Sequence, residues 1–170
     1  MHTPETKLYR LPLTELRTYF VALLFVAGNI VLPQICHLFS LGGLRWLPIY
    51  FFTLIAAYKY GWRVGLLTAV LSPIVNSLIF SMPPLHTLPA ILIKSILLAA
   101  AAGYAAWRFR KASILLLVGV VLFYQILGTL CEWPIVGNFY DAAQDFRIGL
   151  PGMLVQVFGG FLLINYVIRK

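Results

Sequence analysis

The stretch LSPIVNSLIFSMPPLHTLPAILIKS, residues 71–95, contains two apolar segments and the turn that joins them. Pro83 and Pro84 cannot continue a helix, so the pair predicts a stiff turn with a helix on either side. Asn76 lies in the first apolar segment and Lys94 lies in the second. The stretch therefore predicts a helical hairpin inside a membrane, where an amide and an ammonium group need an explanation.

The composition of the whole chain indicates an integral membrane protein. Of its 170 residues, 61% are hydrophobic and 11% are charged, and the mean hydropathy of +0.90 exceeds that of ordinary soluble domains. The net charge of +8 does not predict a nucleic-acid partner, because the basic residues occur in twos and threes between apolar segments. The N-terminus is too polar for a cleavable secretory signal. We expect a single integral membrane domain over residues 1–170.

Six segments are apolar over enough residues to cross a bilayer, which takes about 20 residues of helix. They are continuously apolar, whereas the strands of a membrane barrel alternate, so the sequence predicts an all-α membrane protein. The six predicted transmembrane helices cover residues 16–38, 44–60, 62–81, 88–107, 113–130 and 150–168.

The distribution of lysine and arginine predicts the orientation in the cell's inner membrane. With both termini in the cytoplasm, the outer side carries only Arg45 and Arg147, and Lys94 lies within a span. The long outer connection before the sixth span contains the acids Glu132, Asp141 and Asp145, and we expect it to form a packed cap. The ten predicted cytoplasmic cations are Lys7, Arg10, Arg17, Lys59, Arg63, Arg108, Arg110, Lys111, Arg169 and Lys170.

Four predicted helices each carry a polar side chain at a similar depth below the outer face. At 1.5 Å per helical residue, Asn76 and Lys94 lie about 8 Å deep, and Gln125 and Gln156 lie about 9 Å deep. This coincidence favours a shared binding pocket. Two alternatives stay open: Lys94 extends outward to the headgroups or pairs with Glu132, and the amides form hydrogen bonds between helices.

Small residues predict where another helix can approach closely. Thr18 and Ala22 form a small-xxx-small pair in the first span, and Ala101 and Ala102 belong to the run AAAAGYAA in the fourth span. Internal packing of the six helices is one interpretation of these residues. The alternative is a docking face for a separate membrane partner.

The sequence predicts neither a metal, nor a cofactor, nor a catalytic centre. It contains no GxxxxGK[ST] motif, so the chain does not hydrolyse ATP unaided. Cys36 and Cys131 are far apart in the sequence, and His2, His37 and His86 are scattered. We therefore expect a protein that is not an enzyme, and a thiol or quinone redox enzyme at the outer face remains an alternative.

A longer segment resembles a known family of transport proteins. It reads LPIYFFTLIAAYKYGWRVGLLTAVLSPIVNSLIFSMPPLHTLPAILIKS and contains G-x-x-x-G-L-x-x-A-x-x-S-P-x-x-N followed by an MPP turn. The pattern is formed by Gly61, Gly65, Leu66, Ala69, Ser72, Pro73, Asn76 and Met82 to Pro84. With six short-looped spans and cytoplasmic termini, the chain resembles the substrate-binding S component of energy-coupling factor (ECF) vitamin transporters.

The resemblance implies a bundle of the S-component type that binds a small water-soluble vitamin or related micronutrient near the outer face. It also implies a transmembrane coupling subunit and two cytoplasmic ATPases as partners. The family's AxxxA docking motif has Thr18 and Ala22 as its nearest counterpart here, and threonine at the first position departs from the motif.

Within this interpretation, each polar residue has an expected role in substrate binding. Lys94 is expected to pair with an anionic or electronegative group, while Asn76, Gln125 and Gln156 bind the polar edge of the substrate. Trp46, Trp133 and Tyr140 are expected to cover a ring of the substrate. The alternative is a scaffold of the kind that supports cell shape, which needs no ligand pocket.

Overall fold

The computed structural model of the chain describes residues 8–39 and 41–168. These residues form helices and include no strand, which confirms the predicted all-α class for this part of the chain. His2, Lys7, Arg169 and Lys170 lie outside it. The helices are α1 Leu16–Cys36, α2 Gly42–Trp46, α3 Pro48–Tyr60, α4 Trp62–Phe80, α5 Leu88–Phe109, α6 Ile114–Val136, α7 Phe139–Ala142, α8 Gln144–Arg147 and α9 Leu150–Leu162, which continues as a π-helical turn at Leu163–Val167.

Within residues 8–39 and 41–168, five helices are long and apolar enough to cross a membrane: α1, α4, α5, α6 and α9 with its π-helical turn. They indicate a multi-pass membrane protein. The predicted orientation, the particular membrane and the sixth crossing stay predictions.

The predicted second span is broken at Leu47, between α2 and α3. Leu47 has a φ of 46° in the left-handed region, and it precedes Pro48, the first residue of α3. The proline ring disfavours the right-handed helical conformation at the residue before it, so the chain turns here. The 13 residues of α3 extend only about 20 Å, which is shorter than a hydrocarbon core of about 30 Å.

The short helix α3 is the centre of the bundle, because α1, α4, α5 and α9 all pack against it. Leu54, Ile55 and Ala56 in its middle are fully buried. A Cβ atom at Gly65 of α4 would lie 2.3 Å from the Cβ atom of Ala57. Gly65, part of the motif described above, is therefore needed for the close approach of α4 to α3.

The hairpin predicted from residues 71–95 is present. Helix α4 ends before Ser81, whose φ is 56°, and α5 begins at Leu88. The two helices pack against each other. The prolines of the MPP sequence lie in the turn, as the sequence predicts.

Helix α6 is longer than predicted, because it continues past residue 130 to Val136. Glu132 had been expected in a loop, and it lies in the helix, where its carboxylate contacts the Lys94 ammonium. The helix ends at Gly137, which has a φ of 75° and donates its backbone N–H to the Trp133 carbonyl oxygen at 2.8 Å. The rest of the outer connection forms α7 and α8, which contain the buried residues Ala142 and Asp145.

Candidate functional site

Lys94 is the centre of a buried ion cluster. Its Nζ atom lies 2.5 Å from Glu132 Oε2 and 2.7 Å from Asp145 Oδ2. The three residues belong to α5, α6 and α8, and each is at most 7% exposed. With all three groups ionised, the cluster holds two negative charges and one positive charge.

Gly128 explains how the lysine fits between the helices. A Cβ atom at this position of α6 would lie 2.5 Å from Lys94 Cγ. The stem of Lys94 therefore lies against the backbone of α6, one turn before Glu132. The absence of a side chain at Gly128 is a condition for the ion cluster.

Of the alternatives open for Lys94, the structure supports pairing with Glu132 and adds Asp145 as a second partner. Asp145 was not among the predicted site residues, because 51 residues separate it from Lys94 in the sequence. The signal that could have found it was its charge: few acids occur in this chain, and a buried lysine requires one.

A second polar group connects α6 and α9. The Tyr124 hydroxyl donates to Gln156 Oε1 at 2.9 Å, and Gln125 Nε2 donates to the Tyr124 oxygen at 3.2 Å. The ring of Tyr50 in α3 lies with its centroid 5.5 Å from that of Tyr124. The structure thus brings the predicted residues Gln125 and Gln156 together through a tyrosine that the sequence analysis did not select.

Asn76 belongs to a third group, formed by α1, α3 and α4. Asn29 Nδ2 donates to Thr53 Oγ1 at 3.0 Å and to Ser72 Oγ at 3.2 Å. Asn76 Nδ2 donates to the backbone oxygens of Asn29 and Ser72, at 2.9 and 3.1 Å. These contacts match the interhelical hydrogen bonding that the sequence left open, and none of them joins Asn76 to Lys94.

Several buried polar atoms near these groups have no hydrogen-bond partner among the described residues. On α6, Gln125, Thr129 and Glu132 are spaced so that they share one helix face, and Thr129 Oγ1 lies between the other two without a partner. Each buried polar atom without a partner lowers the free energy of unfolding by about 1–3 kcal/mol. Several such atoms close together are therefore unusual in the interior of a helix bundle. The other unpartnered atoms of this kind are Asn76 Oδ1, Ser77 Oγ, Ser95 Oγ, Gln125 Oε1 and Gln156 Nε2.

The three aromatic residues predicted to cover a substrate ring are exposed, with Trp46 at 38%, Trp133 at 47% and Tyr140 at 60%. The Trp133 ring contacts that of Phe139, with centroids 5.2 Å apart. Tyr140 accepts a short hydrogen bond from Arg147, whose guanidinium lies 3.4 Å from the tyrosine ring centroid. Trp46 ends α2, next to Gly152 of α9. Trp133 and Tyr140 thus belong to the predicted cap, and their contact with a substrate stays a prediction.

The predicted docking residues of α1 are buried inside the chain. The Thr18 hydroxyl donates to the Pro12 carbonyl oxygen at 2.5 Å, and Ala22 is 2% exposed. In α5, Ala102 is fully buried and Ala101 is partly buried. These positions match the interpretation of internal packing, and their contact with a partner stays a prediction.

Cys36 and Cys131 are both free cysteines. Within residues 8–39 and 41–168, no group of three His, Cys, Asp or Glu side chains is arranged to hold a metal ion.

Comparisons of the chain with protein-family models, with curated proteins and with solved structures found no match.

Proposed function

We propose that the chain is the substrate-binding membrane subunit of an ECF-type transporter, which takes up a small water-soluble vitamin or related micronutrient. The observation that carries the proposal is the ion cluster of Lys94, Glu132 and Asp145, with the unpartnered polar atoms on the neighbouring face of α6. Ionisable residues within membrane segments are costly and usually serve a function.

The cost of these groups argues against a protein that only packs its helices. A buried ion pair is often no more stabilising than well-packed apolar residues of similar volume. A scaffold gains little from three charges and several unpartnered amide and hydroxyl groups in its interior. A binding site needs such groups, because a few convergent polar atoms in apolar surroundings fix the orientation of a ligand.

The position of Asp145 suggests how a ligand would enter. Lys94 and Glu132 lie on the long helices α5 and α6, whereas Asp145 lies on α8, a helix of only four residues. An anionic group of the substrate would replace the Asp145 carboxylate at the Lys94 ammonium, and α8 would move away. Gln125 and Gln156 would then bind the polar edge of the substrate, with Trp133 and Tyr140 above it.

The transport cycle would consist of binding and conformational exposure, without covalent chemistry. The coupling subunit and the two cytoplasmic ATPases implied by the family resemblance would supply the energy. This division of labour agrees with the lack of a nucleotide-binding motif in the sequence.

The test begins with native mass spectrometry of the purified protein, which would identify a co-purified metabolite by its mass, and with thermal-shift assays against a panel of water-soluble vitamins. We then compare affinities in the variant Lys94→Met/Glu132→Gln/Asp145→Asn, which removes all three charges together. We expect binding to weaken by at least about tenfold, or about 1.4 kcal/mol.

Lys111→Met is the matched control, because Lys111 is exposed and lies outside the cluster. Unchanged affinity in the triple variant would refute the role of the cluster. A protein that carries no metabolite and responds to no vitamin of the panel would favour the scaffold instead.

A further inference from the structure

A groove of about 990 Å³ lies away from the ion cluster, between the segment before α1, the start of α4 and the second half of α5. Its wall is fixed to α3, because Tyr9 N donates to the Lys59 carbonyl oxygen at 2.8 Å and Leu11 N donates to the Tyr60 carbonyl oxygen at 3.2 Å. The residues that line it are Leu8, Tyr9, Arg10, Leu11, Gly61, Trp62, Arg63, Ala100, Gly103, Tyr104, Ala106, Trp107 and Arg110.

The groove combines three guanidinium groups with no lining carboxylate. Arg10 lies over the ring of Trp107, with its Cζ atom 5.8 Å from the ring centroid, and Arg63 lies 5.7 Å from the ring centroid of Trp62. Arg110 caps the end of α5 with a φ of 53°. In the part of the chain described, the ion pairs all involve Lys94, so these three guanidiniums have no carboxylate partner there.

The positive charge extends beyond the lining residues. Arg17 and Lys59 both lie over the ring of Tyr9, at 5.6 and 5.8 Å from its centroid. Lys59 is fully buried, and its Nζ atom has no hydrogen-bond partner among the described residues. Five cationic side chains therefore lie at this end of the bundle: Arg10, Arg17, Lys59, Arg63 and Arg110.

The groove has an apolar floor and aromatic sides. Ala100, Gly103 and Ala106 are spaced three residues apart on α5, and a Cβ atom at Gly103 would lie 2.5 Å from Trp62 Cβ. Trp107 and Tyr104 are more than half exposed. Tryptophan and tyrosine are enriched where the headgroups of a bilayer meet the hydrocarbon.

We propose that this groove binds an anionic phospholipid. The phosphate would lie among Arg10, Arg63 and Arg110, and the first carbons of an acyl chain would lie along the exposed residues Ala100 and Tyr104. Guanidinium groups bind phosphate oxygens in a bidentate manner, and basic pockets between transmembrane helices bind anionic headgroups. The proposal does not depend on the proposed transport function.

The experiment uses the purified full-length protein, delipidated in detergent and titrated with phosphatidylglycerol or with phosphatidylcholine of the same acyl chains. Native mass spectrometry measures the bound fraction for each lipid. We expect phosphatidylglycerol to bind more tightly by about tenfold or more, since its headgroup has a net negative charge and that of phosphatidylcholine has none. The variant Arg10→Gln/Arg63→Gln/Arg110→Gln should lose this preference.

The control Arg45→Gln/Arg147→Gln removes two cations outside the groove and should keep the preference. A second variant, Ala100→Phe, places a large side chain in the groove and leaves the charge of the groove unchanged. Because Ala100 is exposed, this variant can be used if the triple variant does not fold. It should lose binding of phosphatidylglycerol as well. Equal binding of the two lipids by the unmodified protein would overturn the proposal and favour an acidic protein segment as the occupant. A preference that survives in the triple variant or in Ala100→Phe would overturn it too.

Discussion

At the scale of single residues, Lys94 depends on two acids that come from different elements. Its ammonium contacts Glu132 of α6 and Asp145 of α8, and the three side chains are buried together. Breaking a buried ion pair by removing one charge is costly, because the charge that remains has lost its partner. The cluster should therefore respond very differently to the loss of the lysine and to the loss of one acid.

We expect Lys94→Met to lower the free energy of unfolding by about 3–5 kcal/mol, because two buried carboxylates lose their cation. Asp145→Asn should cost less, since the ammonium keeps Glu132 and the amide oxygen of asparagine still accepts a hydrogen bond. The variant Lys94→Met/Glu132→Gln/Asp145→Asn should recover most of the stability lost in Lys94→Met.

Unfolding of the purified variants in detergent, followed by circular dichroism, measures these differences. Equal losses for Lys94→Met and Asp145→Asn would show that the charges are not coupled as the contacts indicate. These unfolding measurements on both variants require no ligand.

At the scale of elements, the packing of α5 against α6 depends on one glycine. Gly128 leaves the space in which the stem of Lys94 lies, whereas Gly119, nine residues earlier in the same helix, has no atom within 4 Å of the place of its Cβ. Both glycines lie inside α6, but only Gly128 has a neighbouring side chain at the place of its Cβ atom. They allow the contribution of packing to be separated from that of helix propensity.

We expect Gly128→Ala to lower the free energy of unfolding by about 1–3 kcal/mol, because the new methyl group displaces Lys94 from its acids. Gly119→Ala should raise it by about 0.5–1 kcal/mol, since alanine is the better helix former. Thermal unfolding of both variants under one condition is the measurement. A stabilising effect of Gly128→Ala would contradict the close contact.

The helices were predictable from the sequence where a proline or glycine marks their ends. The turn of Pro83 and Pro84 and the end of α3 before Gly61 agree with the sequence. The break at Leu47 was missed although Pro48 follows it, because Pro48 lies near the start of the predicted span, and a proline is tolerated in the first turn of a continuous helix. The extension of α6 past Glu132 was missed because a charge indicates a helix end until its distant partner is known.

The same distinction applies to the candidate site. Lys94, Gln125, Gln156 and Glu132 could be selected from the sequence, because each is a polar residue close to or within an apolar segment. Their partners Asp145 and Tyr124 could not, since such pairs are made by tertiary packing between elements far apart in sequence. Asn29 meets the same criterion, because it is a polar residue within the first apolar segment, and it was overlooked. The similar depth of Asn76, Lys94, Gln125 and Gln156 suggested one layer of polar residues. The hydrogen bonds instead divide these residues between separate groups.

At the scale of the whole molecule, the candidate substrate site and the arginine groove are predicted to face opposite sides of the membrane. The turn of residues 82–87 and the cap helices belong to the predicted outer side. Arg63, Arg110 and Lys111 belong to the predicted cytoplasmic side. The proposed direction of transport depends on this predicted orientation.

Labelling of cysteines in intact cells tests this orientation. In a Cys36→Ser/Cys131→Ser background, a membrane-impermeant maleimide should label Leu85→Cys, which is in the outer turn and is 73% exposed in the unmodified chain. Lys111→Cys should be labelled only after the cells are permeabilised. The reverse pattern would place both termini outside. Full uptake activity of the background variant would also end the redox alternative.

The pairing of Lys94 with Asp145 has a consequence for biosynthesis. The acid lies 51 residues after the lysine, so α5 enters the bilayer before α8 has been translated. A lysine in a transmembrane segment costs about 2.5–3.5 kcal/mol on insertion scales, and the apolar residues around it must compensate for this while the ribosome continues. Lys94 therefore gains its second carboxylate only after α8 has emerged from the ribosome. In a nascent chain that stalls before α8, Lys94 remains in the membrane with its charge only partly compensated.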